Sequence, residues 1–279
     1  MKSTPNNIVV ISDMHVGSRV SLMPPKFRLH DGGTVNPSKL QRALYAWWRE
    51  FWDEFVPFAT KGEPYLVVNN GDVVDGIPHG SVAHMSAIAD DQCGAAVELL
   101  RPILGRKQVV GYAHVKGTES HTAKSGESEE RVARALGAIP DKNGSYSRWE
   151  LWKTIGDGRL IHFLHHVGTT GSASHEASAV NAELTAEMVE AARWGDEAPS
   201  MIVRSHRHRS MELRLPGPKG WISAVVTPAW QAKTPFCYKI PGARLAPSQI
   251  GGIVLRYNPK EGALYTIPFV KHIGREKPE

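Results

Sequence analysis

The sequence has little cysteine, no long apolar run and no glycine-rich phosphate loop. Its two cysteines among 279 residues, Cys93 and Cys237, stand far apart, so neither a disulfide framework nor a cysteine-type zinc site is expected. No stretch approaches the ~18 apolar residues that a membrane-spanning helix needs, and the first residues lack the apolar core of a secretion signal. We therefore expect a cytoplasmic protein that does not bind membranes.

The remaining composition is that of an ordinary globular protein with an excess of histidine. Hydrophobic residues make up 41% of the chain and charged residues 22%, which excludes disordered and collagen-like classes. The absence of a Gly-x-x-x-x-Gly-Lys-Ser/Thr motif argues against a nucleoside-triphosphate motor. A net charge of +5 favours phosphorylated or nucleic-acid partners, and the 13 histidines favour a metal site, because neutral imidazole is a common metal ligand.

The order of apolar patterns along the chain predicts an α/β fold. In the first part, short β-branched runs alternate with amphipathic segments, predicting strands at 8–11, 65–68 and 108–112 and helices at 37–55 and 83–104. Asn36 is the expected cap of the first helix, with Pro37 at its first position. Later segments predict helices at 127–136 and 174–194 and strands at 149–155, 160–164, 201–203, 211–215, 221–226, 250–256 and 263–269.

This pattern lacks linkers and internal repeats and therefore predicts a single domain over residues 1–279. The motif-bearing core is expected at residues 8–215. Residues 216–279 are expected to form a β-rich C-terminal part of a second sheet.

Metal-competent side chains follow five consecutive predicted strands. In open α/β sheets ligands bind beyond the carboxyl ends of the strands, so these residues are expected to converge. Carboxylate and imidazole donors without thiolate suit Mn, Fe, Zn or Co, and a shared carboxylate could bridge two ions that clamp a transferring phosphoryl group. The pairs are Asp13 with His15, Asp72 with Asp75, Glu119 with His121, His165 with His166, and His206 with His208.

In their order, these motifs resemble those of the calcineurin-like metallophosphoesterases. The similar segments are Asp13-Met14-His15, Gly71-Asp72-Val73-Val74-Asp75, His165 after its strand, and His206-Arg207-His208. The resemblance covers residues 8–210 and implies a two-sheet sandwich flanked by helices, in four layers. It also implies two divalent metal ions, manganese first, and hydrolysis of a phosphate ester by a metal-bridging hydroxide without a covalent enzyme intermediate. One ion would be held by Asp13, His15 and His208 and the other by His165 and His206, with Asp72 bridging them.

The third motif departs from the family's Gly-Asn-His-Asp/Glu pattern. This chain has Gly117-Thr118-Glu119-Ser120-His121 at that place. We expect Glu119 to replace the asparagine as an oxygen ligand. His121, displaced by two positions, is expected to act as the general acid for the leaving oxygen.

Other residues beside the motifs have supporting roles. Asp75 is expected to orient a metal ligand instead of binding metal itself. His165 is preferred to His166 as the ligand, because neighbouring side chains of a strand face opposite sides. Arg207 is expected to attract substrate phosphate, although a solvated basic side chain is the alternative.

The resemblance and the basic charge favour a metal-dependent phosphodiesterase, with nucleic acid as a possible substrate. A phosphomonoesterase is the alternative enzyme. The altered third motif leaves open a different class of protein, a metal-stabilised binding or scaffold module that has lost catalysis. The oligomeric state is open.

Overall fold

Two large β-sheets lie at the centre of the structure. The structure is a computed structural model and describes residues 4–122, 125–168, 173–217, 220–240 and 246–274. The strands are β1 (Asn7–Ile11), β2 (Phe27–Arg28), β3 (Thr34–Val35), β4 (Tyr65–Asn70), β5 (Val109–Val115), β6 (Ser147–Arg148), β7 (Glu150–Ile155), β8 (Arg159–Leu164), β9 (Met201–Arg204), β10 (Met211–Gly217), β11 (Gly220–Val226), β12 (Gln249–Asn258) and β13 (Ala263–His272). The helices are α1 (Lys39–Glu50), α2 (Val56–Thr60), α3 (Ala89–Leu104), α4 (Glu119–Thr122), α5 (Glu127–Ala135) and α6 (Glu176–Trp194).

Both sheets have parallel strands at their centres. The first sheet has the order β13-β12-β1-β4-β5-β6, in which β1, β4, β5 and β6 run parallel and β12 and β13 pair antiparallel. The second has the order β10-β11-β9-β8-β7, with β11, β9 and β8 parallel and antiparallel strands at both edges. The loops after β1, β4, β8 and β9 meet at one end of the two sheets.

Three apolar cores hold the layers together. Alternation along β1 directs Ile8 and Val10 to a core that includes Phe163 of the second sheet, whereas Val9 and Ile11 enter a core shared with α1, α3 and α5. A third core joins the outer face of the second sheet to α6. The arrangement is therefore helix, sheet, sheet, helix, which confirms the predicted four-layer α/β sandwich.

The first helix begins two residues later than expected. Ser38 caps α1: its hydroxyl accepts the Gln41 backbone N–H at 3.2 Å, and the Gln41 side chain accepts the Ser38 N–H at 3.0 Å. The prediction that Asn36 caps the helix was wrong, because this reciprocal pair satisfies two backbone donors at once. After α1 the chain passes through a π-helical turn, Phe51–Phe55, into α2.

The segment before α3 is a loop and not the expected first turns of that helix. The backbone carbonyl of Ala83 accepts the Arg19 N–H at 3.0 Å, and the Met85 N–H donates to the Gly17 carbonyl at 2.8 Å. These bonds tie residues 83–85 to the loop after β1. None of the helices in the described ranges has the length and apolar character that a membrane crossing requires.

The placement of the C-terminal strands corrects one expectation. Residues 216–279 were predicted to belong to the second sheet, but only β11 and the end of β10 do so. β12 pairs with β1, opposing Leu255 to Ile8, and β13 continues the first sheet beyond β12. A strand buried on both faces, as β12 is, fits beside the central strand of either sheet, so its apolar pattern alone did not distinguish them.

Replacing Trp230 tests the packing beneath the loop after β1. Its ring is fully buried, 4.9 Å from the ring of Trp48 and 5.7 Å from that of Phe51. We expect Trp230→Ala to lower the free energy of unfolding by about 3–5 kcal/mol in urea titrations, because it leaves a large cavity. Trp194→Ala is the control, since Trp194 is 78% exposed; an equal loss in both variants would contradict this packing.

Candidate metal centre

The site is built on loops that leave parallel strands at the same end of both sheets. Beyond β1 and β4 the strand pairing continues, because the Asp13 N–H donates to the Gly71 carbonyl and the His15 N–H to the Asp72 carbonyl, both at 2.9 Å. In the second sheet the Ser205 N–H donates to the His165 carbonyl at 2.8 Å. The backbone therefore places side chains that are distant in sequence next to each other.

A left-handed backbone marks these loops. Six non-glycine residues have a positive φ in the described part of the chain, and five of them lie here with φ between 44° and 69°. Such conformations cost about 1–3 kcal/mol each and cluster at functional sites. The five residues are Asp13, His15, Asp72, His206 and His208.

Asp13, His15 and His208 form the first group that could hold a metal ion. The Nε2 atoms of the two histidines are 3.1 Å apart, and Asp13 Oδ1 lies 3.3 Å from His208 Nε2. The other oxygen of Asp13 accepts the Ser12 hydroxyl at 2.6 Å, which fixes the carboxylate and leaves Oδ1 facing the histidines.

Asp72, His165 and His206 form a second group. The Nδ1–H of His165 donates to the Asn70 carbonyl at 2.7 Å, which directs Nε2 toward Asp72 Oδ2, 3.1 Å away. A histidine that binds metal through one nitrogen commonly donates its other N–H in this way. Both groups contain the residues expected from the motifs, and Asp72 lies between them.

The third group places His121 in the cluster beside His15 and Asp72. Its Nδ1–H donates to the Asp75 carbonyl at 2.7 Å, and its ring contacts that of His15 edge-on at 4.3 Å. His121 is less buried than the other two and faces the open side of the site. It is therefore placed either to bind metal or to exchange a proton with a substrate.

The structure does not support Glu119 as a ligand. Its side chain is exposed at the first position of α4 and belongs to none of the three groups. Thr118 contacts Asp72 instead. Its backbone N–H donates to Asp72 Oδ1 at 2.7 Å, and its hydroxyl contacts both carboxylate oxygens of Asp72. The sequence analysis did not single out Thr118, although it directly follows the glycine of the third motif.

Asp75 contacts the cluster through His15 and also contacts two side chains outside it. One oxygen lies 3.3 Å from His15 Nδ1 and accepts the Gln231 side-chain N–H at 3.1 Å, and the other lies 3.1 Å from His84 Nδ1. This arrangement orients His15, as expected for Asp75. Gln231 and His84 were not expected at the site, because no local pattern links them to Asp75.

His166 and Arg207 lie at the edge of the site. His166 is exposed and stacks at 4.2 Å against the ring of His206, whereas His165 is buried among the acidic groups, so the strand alternation had the expected effect. Arg207 lines the cleft, and its guanidinium donates to the backbone carbonyls of Gly168 and Glu176. Its contact with substrate phosphate stays a prediction.

The charges of the cluster balance one another. Burial disfavours charge on Asp13, but His165 and His208 outweigh it and lower its pKa to about 2. Burial likewise opposes protonation of His165, but Asp72 and Asp13 raise its pKa to about 10. Burial lowers the pKa of His121 to about 4, and the nearby His15 acts in the same direction. The charges on His165 and the buried carboxylates therefore stabilise one another, whereas His121 is held in its neutral form.

Two buried atoms are suited to bind a divalent cation. Asp13 Oδ1 and His165 Nε2 have no hydrogen-bond partner although both are shielded from water. Unpaired buried polar atoms are costly, and a divalent ion would satisfy both. The donor set of carboxylate oxygens and imidazole nitrogens is the one that Mn, Fe, Zn and Co accept.

A buried chain of polar side chains holds the loop that carries Asp72. Glu129 on α5 accepts the Val73 backbone N–H at 3.0 Å and makes a short contact with His114, whose Nδ1 lies 2.5 Å from the Tyr112 hydroxyl. Glu129 and His114 are fully buried. Glu129 thus fixes the residue that follows Asp72, from a helix that carries no metal-site motif.

A cleft of about 520 Å³ opens above the cluster. It is lined by five of the metal-competent residues, and its only carboxylates among the described residues are those of Asp72 and Asp75; the five are His15, Asp72, His121, His206 and His208. Four cationic side chains line it higher up, namely Arg207, Arg209, Lys233 and Lys239. The cleft is therefore suited to an anionic ligand that reaches the floor.

No family model and no curated protein matches this chain. Three solved structures resemble it weakly. A Thermotoga maritima protein solved by NMR is 12% identical with a TM-score of 0.39, and covers 95% of this chain and 99% of its own. A Thermus thermophilus sulfate thiohydrolase, SoxB, in complex with glycerol is 12% identical with a TM-score of 0.38, covering 97% of this chain and 57% of its own. A Sphaerobacter thermophilus metallophosphoesterase is 10% identical with a TM-score of 0.37, and the match covers 94% of this chain and 88% of that protein.

Gly117 tests the close approach of the third motif to Asp72. A Cβ at Gly117 would overlap the carboxylate and the backbone nitrogen of Asp72. We expect Gly117→Ala to weaken manganese binding by about 10- to 100-fold, measured by calorimetry, because it displaces Asp72. Gly105→Ala is the matched control, since its Cβ would meet only ordinary contacts. Unchanged affinity in Gly117→Ala would contradict the geometry.

Metal binding should release protons. Burial lowers the pKa of His15, but its bond to Asp75 and the charge of Asp72 outweigh this and raise it, as Asp72 and Asp13 do for His165. Because metal binds neutral imidazole, we expect about one to two protons to leave at pH 7 and the manganese affinity to rise from pH 6 to pH 8. Calorimetry in buffers of different ionisation enthalpy measures the protons; an affinity independent of pH would contradict this.

Proposed function

We propose that the chain is a two-metal hydrolase of phosphate esters that acts on phosphodiesters. One observation carries this proposal: Asp72 Oδ2 lies 3.1 Å from His165 Nε2 in one group of metal-competent residues and 3.9 Å from His15 Nε2 in another. Paired ions that share a carboxylate are the arrangement used to hold both the attacking and the leaving oxygen of a phosphoryl displacement.

The residues divide into two ligand sets in this proposal. Asp13, His15 and His208 would hold one ion, and His165 and His206 the other, with Asp72 shared. Manganese is the first choice from the donor set, and iron, zinc or cobalt would also fit. The ions would supply Lewis-acid stabilisation of the phosphoryl oxygens and an activated water.

His121 is the proposed proton-transfer residue. The Asp75 carbonyl fixes its Nδ1–H, so that Nε2 is the atom available to exchange a proton. Burial keeps the pKa of the free residue at about 4, and a phosphate anion bound beside it would raise that pKa toward neutrality. His121 would then donate the proton on its Nε2 atom to the leaving oxygen.

The cleft favours a diester over a monoester. A diester carries one negative charge and two organic groups, and the open volume above the cluster has room for both. The cationic side chains along the cleft and the net charge of +5 favour an anionic polymer, so nucleic acid is the macromolecular diester to test.

Hydrolysis of bis-p-nitrophenyl phosphate and p-nitrophenyl phosphate by metal-stripped protein reloaded with manganese tests the function. We expect turnover of the diester, loss of that turnover in Asp72→Asn, and full turnover in Asp157→Asn, an exposed turn residue. His121→Ala should lower kcat by about 100-fold or more for a diester with an alcohol leaving group, whose oxygen needs a proton, and far less for bis-p-nitrophenyl phosphate, at unchanged metal content.

Each other result has a defined meaning. Turnover of the monoester alone would assign a phosphomonoesterase. Metal binding without hydrolysis of either ester would contradict the enzyme and favour a metal-stabilised binding or scaffold module. Loss of metal from His121→Ala would make His121 a ligand and remove it from proton transfer.

A further inference from the structure

Two segments with apolar side chains line the cleft beside the metal-competent residues, and we call them the first wall and the second wall. The first wall, residues 78–83, contributes Pro78, Val82 and Ala83 to the cleft, and Val82 is 95% exposed. The second wall, residues 233–240, contributes Pro235 and Phe236, of which Phe236 is 44% exposed. Exposed apolar surface that is rimmed by polar residues is a mark of ligand-binding grooves, and these side chains line one cleft together with the polar site.

The first wall is attached to the metal site. His84, at its end, donates from Nε2 to the Ser81 carbonyl at 2.8 Å and places Nδ1 3.1 Å from Asp75 Oδ2. The Arg19 N–H donates to the Ala83 carbonyl at 3.0 Å. Val82 is therefore held on a braced turn at a fixed place above the cluster.

The second wall is attached to the same carboxylate. Gln231, just before this wall, donates to Asp75 Oδ1 at 3.1 Å, and the Ala232 N–H donates to the Val20 carbonyl at 2.8 Å. Asp75 thus links His15 to the bases of both walls. A group bound between the walls would stand in a defined position relative to the ions.

The charges and apolar side chains of the two walls indicate which kind of substrate group fits between them. Lys233 and Lys239 are the charged residues of the second wall, and neither wall has a carboxylate lining the cleft. An anionic phosphate would therefore lie on the floor, with an apolar substituent against Val82 and Phe236. An alkyl group as small as methyl would leave both walls in water and gain little from them.

We propose that the substrates are phosphodiesters whose retained substituent, the one that does not leave, is a large apolar or aromatic group. The two walls select this group. The inference rests on the proposed function, and it adds Val82 and Phe236 as residues that determine specificity without taking part in metal binding or proton transfer.

Two esters with the same leaving group test the proposal. Phenyl p-nitrophenyl phosphate and methyl p-nitrophenyl phosphate both release p-nitrophenolate and differ only in the retained substituent. We expect kcat/KM to favour the phenyl ester, mainly through KM. Val82→Ser and Phe236→Ser should each lower the ratio of the two kcat/KM values by up to about tenfold, with the methyl ester unaffected.

Matched control variants distinguish an effect of the walls from the effect of removing any exposed apolar side chain. Phe58→Ser and Val189→Ser change exposed apolar residues outside the cleft and should preserve the parent ratio. Because each variant's ratio is compared with the parent's ratio for the same two esters, the difference in their intrinsic reactivity cancels. Ratios that stay at the parent value in both wall variants, or that fall equally in the controls, would overturn the proposal.

A binding measurement keeps failure of this proposal distinct from failure of the proposed function. Diphenyl phosphate and dimethyl phosphate are titrated calorimetrically into manganese-loaded protein, where tighter binding of the diphenyl ester is expected whether or not turnover occurs. Equal binding of both would overturn the inference while leaving the hydrolase intact. A change of oligomeric state in the wall variants without a change of ratio would assign the walls to a second copy of the chain and also overturn it.

Discussion

The site depends on a backbone constraint at the ends of three parallel strands, β1, β4 and β9. There the chain turns sharply through left-handed residues so that consecutive motifs can present several side chains to one point, as Asp13 and His15 do two positions apart. Left-handed conformations are unfavourable for residues with a Cβ, and asparagine, aspartate and histidine are among those that adopt them most readily. The continued backbone pairing of the loops after β1 and β4 and the three apolar cores supply the energy that offsets this cost.

Asp75 connects the parts of the site that have different tasks. It orients His15 in the metal cluster, lies beside His84 under one wall and accepts a hydrogen bond from Gln231 under the other. A carboxylate that bound metal directly would not have its oxygens available for these contacts. The positions of the two walls and of His15 are therefore coupled through one buried side chain.

The buried charges show why such a site needs a large scaffold. Asp13, Asp72 and His165 are nearly inaccessible to water, and removing ions from water is costly unless opposite charges or hydrogen bonds compensate. Here protonated His165 offsets carboxylate charge, and Thr118, Ser12 and the Asn70 carbonyl bond to Asp72 Oδ1, Asp13 Oδ2 and His165 Nδ1, respectively. Glu129, on a helix behind the sheet, extends this support to the loop that follows Asp72.

The sequence by itself predicted the alternating α/β elements and the polar residues at strand ends, because both are local patterns. The resemblance of its motifs to a known family added the four-layer arrangement, which the structure confirms, and the two sets of metal-competent residues, whose role as ligands stays a prediction. The tertiary structure alone decided which sheet receives β12 and β13, since their apolar pattern fits either one. It also exposed Glu119 and put Thr118 at Asp72, because the start of α4 sets where each side chain points. Gln231 and Asp75 are 156 residues apart, and such contacts follow from packing and not from any local pattern.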